Sequence, residues 1–249
     1  MSKLQALNGL QTPFVYKLSA FMSFSNDEMA ILDRFDHPQR SFAAGTELVH
    51  EGQSNPAAYI LVDGWAISYK VLRGGGRQIV DFQIPGDFLG LRSVLLRTAD
   101  HNIESATAIT AVEVGVPDVM ATFRESPRLA CAVLWALSSD EAIVVERLVS
   151  LGRRDALERV AHFFLEFGAR LKLVGLATRE GYACPLSQYH LADALGLSAV
   201  HINRVLRQLR EEGMMTFRGG KVTFDDFDGL VKLADFDTAY MDFEGPLLK

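Results

Sequence analysis

Residues 186–215 limit the possible folds of this chain more than any other stretch, because their spacing is typical of two short helices joined by a tight turn. A first helix is predicted over residues 188–195, with Ser187 as its N-cap. Gly196 follows it, at a turn whose left-handed backbone favours glycine. Ser198 then caps a second predicted helix.

The second helix is predicted to run to about Glu212 and to end at Gly213. Apolar spacing gives both helices an inner face, formed by Leu191, Leu195, Leu197, Ile202, Val205, Leu206 and Leu209. Ala192 is small where the helices approach most closely. Together these features predict a helix-turn-helix, and the alternative is an ordinary helical hairpin in an unrelated core.

A β-hairpin is predicted directly after these helices. Its strands cover residues 215–218 and 221–224, and Gly219-Gly220 forms the two-residue turn. A hairpin that follows a recognition helix is the wing of a winged helix-turn-helix. Arg218 and Lys221 flank its tip, where they can contact a DNA phosphate.

The charge of the whole chain is acidic, with a formal net charge of −6 and a pI near 5.5. This balance argues against a histone-like protein that binds DNA by charge alone. Residues 153–225 nevertheless contain eleven Lys and Arg against eight Asp and Glu. The candidate DNA-binding region is therefore the basic part of the chain, as sequence-specific binding requires.

Short strands punctuated by glycine are predicted between residues 40 and 117. The β-rich segments are residues 47–50, 58–62, 65–71, 78–82 and 108–114. Their close spacing predicts an antiparallel roll or barrel. Ahead of it, residues 19–35 predict one or two short amphipathic helices with a capping start at Ser25.

A long helix is predicted over residues 129–151. Its apolar residues fall at alternating three- and four-residue steps, interrupted once by Glu141: Leu134, Leu137, Val144, Leu148 and Leu151. This pattern is a coiled-coil seam, which predicts a homodimer. Packing of the helix on its own roll is the alternative.

Residues 152–154 interrupt this helix and mark the best domain boundary. Asp155 is predicted to cap an amphipathic helix over residues 156–173, and residues 178–185 are predicted to be a polar connector. After the wing, residues 226–236 predict a short closing helix, and the acidic tail from Asp226 onward is expected to be a solvated end.

The two cysteines, Cys131 and Cys184, are too few for the four thiolates of an ordinary iron–sulfur cluster. A disulfide scaffold does not suit a chain of 249 residues. No signal peptide is recognisable, and the longest apolar run, residues 129–137, is too short for a bilayer. We therefore expect a cytoplasmic protein without a membrane partner. For Cys184, a buried inert thiol is favoured over a redox switch.

The order of these elements, from about Ser19 to Leu233, resembles the cyclic-AMP receptor protein/FNR (Crp/Fnr) family of bacterial transcription regulators. The resemblance rests on Gly45-Thr46-Glu47-Leu48-Val49-His50-Glu51-Gly52, Tyr59-Ile60-Leu61-Val62-Asp63-Gly64, Pro85-Gly86-Asp87-Phe88-Leu89-Gly90 and the helix-turn-helix. It implies a homodimer that binds a two-fold symmetric double-stranded DNA operator, with RNA polymerase as a further partner.

The implied fold is α+β, in three parts. A cyclic-nucleotide-binding-like antiparallel β-roll (a double-stranded β-helix) occupies residues 19–127 and senses a signal. A long dimerisation helix follows at residues 128–152, and a winged helix-turn-helix DNA-binding domain occupies residues 153–236.

Departures from the family argue against a cyclic nucleotide as the effector. Leu91 stands where nucleotide-binding members carry a Glu for the ribose hydroxyl. Glu104-Ser105 stands where they carry Arg-Ser, and a carboxylate would repel the phosphate. The cysteine cluster of the oxygen sensors is absent as well, and no cofactor is implied. The candidate pocket for another small-molecule effector comprises Leu91, Arg92, Glu104, Ser105, Glu141, Val144 and Val145.

The resemblance also implies which residues meet DNA, because the second helix of the motif enters the major groove by its N-terminal half. Arg204 stands at the family's usual Arg and can bond guanine O6 and N7. Val200 replaces the usual Glu, and with Ala199 it can contact thymine methyls, while His201 and Asn203 supply polar groups. The expected phosphate contacts are Ser187, Ser198, Arg207, Arg218 and Lys221.

Two other functions stay open at this point. One is a ligand-independent regulator whose roll is only a dimerisation scaffold. The other is a cupin-like metal enzyme, which needs clustered His and carboxylate ligands, whereas His37, His50 and His101 are single and scattered. The chain has no G-x-S-x-G motif, P-loop or dinucleotide fingerprint. We therefore expect a regulator, with no enzymatic activity and no metal site.

Overall fold

The computed structural model describes residues 12–36, 38–92, 96 and 98–241. The chain divides into two compact units, the first within residues 1–75 and 80–138 and the second within residues 76–79 and 139–242. In this described part of the chain, no helix is both long and apolar enough to cross a membrane.

Two short helices, α1 (Pro13–Ser19) and α2 (Asn26–Leu32), open the first unit. The predicted capping start of α2 is confirmed. The Ser25 hydroxyl accepts a hydrogen bond from the Glu28 amide, and the Glu28 carboxylate accepts one from the Ser25 amide. Helix α1 was not predicted, because its sequence has no clear signal of its own. It forms because Phe14, Val15 and Leu18 bury their side chains in a shared core.

Two four-stranded sheets form the roll, in the strand orders β1-β8-β3-β6 and β2-β7-β4-β5. The strands are β1 (Gln39–Phe42), β2 (Glu47–Val49), β3 (Ala58–Asp63), β4 (Ala66–Val71), β5 (Arg77–Gln83), β6 (Phe88–Leu89), β7 (Asn102–Ser105) and β8 (Ile109–Val114). The pairs β1–β8, β3–β8 and β4–β7 are antiparallel, so the predicted antiparallel roll is confirmed. Strands β1, β6 and β7 were missed, since two to four residues are too few to show an alternating pattern.

Gly64 shows why a turn of the roll requires glycine. It turns the chain between β3 and β4 with φ at 86°. A Cβ atom at this position would lie 2.3 Å from the carbonyl oxygen of Ala108. Both the conformation and the close approach of the backbone therefore require glycine in this motif.

Helix α3 (Val116–Glu125) leads into the long helix α4 (Pro127–Arg153), which begins and ends two residues beyond the predicted bounds. One face of α4 packs in the core of the first unit through Leu129, Ala132, Val133 and Ala136. The predicted seam lies on another face, where Leu134, Val144 and Leu148 are exposed. Three residues of the seam are therefore exposed, whereas Leu137 is partly buried and packs against the core of the first unit.

The second unit contains α5 (Ala156–Leu173), α6 (Gln188–Leu195), α7 (Ala199–Glu211) and α8 (Phe227–Ala234), and a sheet in the strand order β11-β12-β10-β9. The strands are β9 (Ala177–Thr178), β10 (Gly181–Ala183), β11 (Met215–Arg218) and β12 (Lys221–Phe224). The predicted Asp155 cap is confirmed, because its carboxylate accepts hydrogen bonds from the amides of Leu157 and Glu158.

Two expectations for this unit were wrong. The predicted polar connector contains β10, whose Tyr182 is buried and donates its hydroxyl hydrogen bond to the carbonyl of Phe164, 2.8 Å away. The described part of the tail after the wing, residues 226–241, is not simply a solvated end, and the rest of the predicted tail lies outside the described residues. Leu230 and Met241 are buried, and the Phe236 ring packs edge-on against His162. Long-range burial, which the local sequence does not encode, decided both cases.

Candidate DNA-binding surface

The helix-turn-helix has the bounds and caps that the sequence predicts. The Ser187 hydroxyl accepts a hydrogen bond from the His190 amide at the start of α6. Gly196 ends this helix in the left-handed region, with φ at 63° and ψ at 34°. The Ser198 hydroxyl accepts a bond from the His201 amide and so caps α7. Local chemistry therefore fixes both ends of the turn.

Helix α7 has one buried and one exposed face. The buried face packs on the unit through Ile202, Val205, Leu206 and Leu209. Its exposed face begins at Val200. Asn203, Arg204 and Arg207 follow three, four and seven residues later, which places all four on one side of the helix. Ala199 and His201 are half-buried beside them.

The exposure of Val200 is informative because valine normally contributes to a core or an interface. Its side chain is 81% exposed in the first turn of α7, so it has no packing role in the isolated chain. Such a side chain is available to the apolar methyl groups that thymine presents in the major groove.

Arg204 is exposed, and the structure records no ion pair or hydrogen bond for it within the described residues. Its guanidinium is therefore available to a ligand of the surface. Arg207 differs, since its Nε atom lies 3.5 Å from the Glu211 carboxylate, in a pair that is largely solvated.

The wing adds two cations to this surface. Gly219 and Gly220 both have positive φ, at 60° and 72°, as a type I′ hairpin turn requires. Arg218 and Lys221 are direct cross-strand partners on either side of this turn, and both are exposed. Two like charges held this close favour an anion such as a DNA phosphate between them.

The half-buried Gln188 and the exposed Tyr189 complete this surface, and both were missed from the sequence. The Asn203 side-chain amide donates a hydrogen bond to the side-chain oxygen Oε1 of Gln188, 3.3 Å away, which links α7 to the first turn of α6. Tyr189 is 72% exposed in that turn. The available signal was their position directly after the Ser187 cap, in the first turn of the first predicted helix.

Comparison with known proteins agrees with this architecture. Residues 39–125 match the family described as "Cyclic nucleotide-binding domain", and residues 158–233 match "Crp-like helix-turn-helix domain". The chain is 32% identical over 179 residues to the nitrogen fixation regulation protein FixK of Azorhizobium caulinodans, covering 70% of each chain. The chain belongs to the Crp/Fnr family.

Two further relatives extend the likeness. Another nitrogen fixation regulation protein FixK, from Bradyrhizobium diazoefficiens, is 28% identical over 204 residues, or 81% of this chain and 85% of the relative. The solved structure of FixK2 from Bradyrhizobium japonicum superposes with a TM-score of 0.70 at 27% identity, covering 79% of this chain and 96% of that one. This Crp/Fnr protein is therefore a DNA-binding transcription regulator, as the resemblance implied.

The candidate effector residues fall in both units of this Crp/Fnr protein. In the first unit, Leu91 is buried in the core and Arg92 lies 3.7 Å from the Asp100 carboxylate. Glu104 is the cross-strand partner of Glu47, and Ser105 donates its hydroxyl hydrogen bond to the Ala43 carbonyl, 2.7 Å away. The remaining candidates are the exposed α4 residues Glu141, Val144 and Val145, which belong to the second unit.

Ser105 and Leu91 have structural roles within the first unit. The Ser105 hydroxyl also accepts a hydrogen bond from the Thr46 amide, so it holds the turn before β2. Leu91 fills core space among Phe88, Leu129 and Val133. Within either unit alone, the described residues of the candidate set do not assemble into one enclosed site.

The thiols and imidazoles that the structure describes show no metal-binding arrangement. Among the described residues, no three His, Cys, Asp or Glu side chains cluster as ligands, and His37 lies outside them. The His101 ring hydrogen-bonds the Asp100 carboxylate at 2.7 Å. Cys184 is buried, and burial raises the pKa of its thiol to about 12, as expected for the unreactive thiol that the sequence favoured.

Proposed function

We propose that this regulator binds a two-fold symmetric operator as a homodimer and reads each half-site with the exposed face of α7. The observation that carries the proposal is the pairing of an exposed Val200 with an unengaged Arg204 on one side of a capped recognition helix. Neither side chain stabilises the fold, whereas both match base edges in a major groove.

The roles follow from side-chain chemistry. Arg204 donates two hydrogen bonds to guanine O6 and N7, and Val200 with Ala199 contacts thymine methyls. His201 and Asn203 contribute polar contacts to neighbouring bases. The phosphate contacts are assigned to Ser187, Ser198, Arg207, Arg218 and Lys221, to which the half-buried Gln188 and the exposed Tyr189 are added.

The exposed seam of α4 supports the homodimer. Leu134, Val144 and Leu148 lie at coiled-coil spacing and are exposed in the single chain. A second copy of α4 presents the same residues, so a two-fold pairing buries both seams at once. We assign the domains to residues 19–127, 128–152 and 153–236, with the middle segment as the dimerisation helix.

The effector, in this proposal, is not a cyclic nucleotide. Leu91 and Glu104 lack the chemistry that a ribose hydroxyl and a cyclic phosphate require, and Glu104 faces a second carboxylate, Glu47. The second candidate is a regulator without any effector, whose roll serves dimerisation. In both cases the protein acts on DNA in the cytoplasm, and RNA polymerase is the protein partner of the DNA-bound regulator.

Selection from a random duplex pool tests the function. The purified protein is incubated with the pool without a small molecule, and in parallel with cyclic AMP. We expect the same palindrome at the same yield in both arms. Enrichment of a single asymmetric site would contradict the dimer, and enrichment only with cyclic AMP would contradict the effector assignment.

Replacing Arg204 by Ala should remove discrimination at one base pair of each half-site. The expected loss is about 1–3 kcal/mol per half-site on the selected operator, with a smaller change on random duplex. Arg207→Ala is the matched control. Loss of a phosphate contact should weaken binding to both duplexes equally and reduce the number of counterions released on binding by about one. Equal weakening by Arg204→Ala on both duplexes, in fluorescence anisotropy titrations, would remove it from base recognition.

A further inference from the structure

Arg159, in the first turn of α5, connects the ends of two other helices of the second unit. Its Nε atom donates a hydrogen bond to the Ser150 carbonyl at 3.1 Å, and Nη2 donates to the carbonyls of Leu151 at 3.2 Å and Arg154 at 2.9 Å. Ser150 and Leu151 lie in the last turn of α4, and Arg154 directly follows the helix. The fourth bond runs from Nη1 to the carbonyl of Leu195, the last residue of α6, at 2.8 Å.

This arrangement adds hydrogen bonds to carbonyls at two helix ends, of which the Ser150 carbonyl also accepts a bond from the Arg154 amide at 3.3 Å. The last four carbonyls of a helix have no partner within it and carry the negative end of the helix dipole. One guanidinium here caps α4 and α6 together. Its planar fork fixes the direction of each bond, which the single ammonium of a lysine cannot do.

A second contact joins the same two helix ends. The side chain of Leu151, in the last turn of α4, lies against the turn of the helix-turn-helix, with its Cδ2 3.6 Å from the position a Cβ would take on Gly196. A cavity of only about 20 Å³, lined by Arg159, Leu151 and Leu195 among others, remains beside them. This is room for a single water, so the joint is closely packed.

We propose that Arg159 is a positioning residue that fixes the direction of the recognition helix relative to α4, and thereby sets the half-site spacing that the dimer accepts. The inference rests on the proposed homodimer and its palindromic operator. In the dimer, α4 of each copy pairs with α4 of the other. Within each copy, α6 packs against α7. A rigid joint between them transfers the geometry of the dimer to the two recognition helices.

The physical consequence is a strict spacing requirement. Two recognition helices bind half-sites about 34 Å apart, one DNA turn. With a rigid joint, only one spacing allows both helices to bind at once, and other spacings lose the gain of bivalent binding. That gain is on the order of 100-fold or more. With a loosened joint, several spacings become nearly equivalent.

The test uses the full-length protein and a series of operators whose half-sites are moved apart or together by one and two base pairs, with an isolated half-site as a further duplex. The variants are Arg159→Gln and Arg159→Lys. Arg153→Gln is the matched control, because it removes one exposed arginine charge from the same segment. Affinities are measured by anisotropy, and folding by circular dichroism.

We expect the wild type and Arg153→Gln to prefer one spacing by roughly 100-fold. Arg159→Gln should reduce this preference to within about tenfold, with affinity for the isolated half-site unchanged, and Arg159→Lys should fall between them. An unchanged spacing preference in Arg159→Gln would overturn the inference. Equal losses on every duplex, including the half-site, in both Arg159 variants would overturn it too, since they would indicate a purely structural role.

Failure of the proposed function is distinguishable in the same experiment. If the wild type binds the isolated half-site as tightly as every palindrome, it does not act as a dimer on DNA, whatever Arg159 does. If the wild type prefers one spacing, the dimer stands and only the role of Arg159 is in question.

Discussion

Replacing Glu166 by Ala is expected to destabilise the second unit by about 3–5 kcal/mol. Glu166 is 1% exposed on α5, and its Oε1 accepts a hydrogen bond from Arg147 Nη2 at 2.8 Å. Arg170 Nη1 lies 3.5 Å from the same oxygen. Removal of the carboxylate leaves two guanidinium charges close together in a poorly solvated place, without the negative charge that faced them.

Calorimetry is the appropriate measurement, because the chain has two compact units and need not unfold in one step. The two tryptophans, Trp65 and Trp135, both belong to the first unit, so their fluorescence does not report on Glu166 directly. Glu211→Ala is the matched control: it removes a carboxylate from a solvated pair with Arg207, worth about 0–1 kcal/mol. A loss below about 1 kcal/mol for Glu166→Ala would show that the cluster is not a major source of stability.

Replacing Phe164 by Ala is expected to cost about 3–5 kcal/mol as well, and to weaken operator binding. The ring is fully buried on α5, 5.2 Å from the ring of Phe217 in wing strand β11. Truncation removes buried apolar surface and leaves a cavity directly beneath the wing. Because Arg218 follows Phe217, the wing should also lose its fixed position.

Two further variants serve as comparisons for Phe164→Ala. Phe164→Leu keeps most of the volume and should cost clearly less than Phe164→Ala. Tyr189→Ala removes an aromatic side chain that is 72% exposed, so its stability should change by about 0.5 kcal/mol or less. If Phe164→Ala unfolds at the wild-type temperature in calorimetry, the α5 core does not support the wing as argued.

The helix-turn-helix could be predicted almost residue by residue because its determinants are local. Ser187 and Ser198 cap helices through amides three residues away, and Gly196 alone supplies the left-handed turn. The wing followed for the same reason, since Gly219-Gly220 fixes a hairpin without help from distant residues. These rules involve only residues that lie close together in the sequence.

The roll was predictable as a class but not strand by strand. Strands of six or seven residues, such as β3 and β5, show their character in sequence, whereas the two residues of β6 form a strand only because β3 lies beside them. The function of the chain as a DNA-binding regulator likewise followed from motifs in fixed order.

Only the tertiary structure decided the features that depend on partners far away in sequence. Helix α1 forms on a core made by distant elements, the segment around Tyr182 becomes a strand of the wing sheet, and Phe236, beyond the wing, packs against His162. From the sequence alone, Arg159 is one more basic residue on a predicted amphipathic helix. Its four carbonyl partners lie five to 36 residues away, and only the folded chain brings them to one guanidinium.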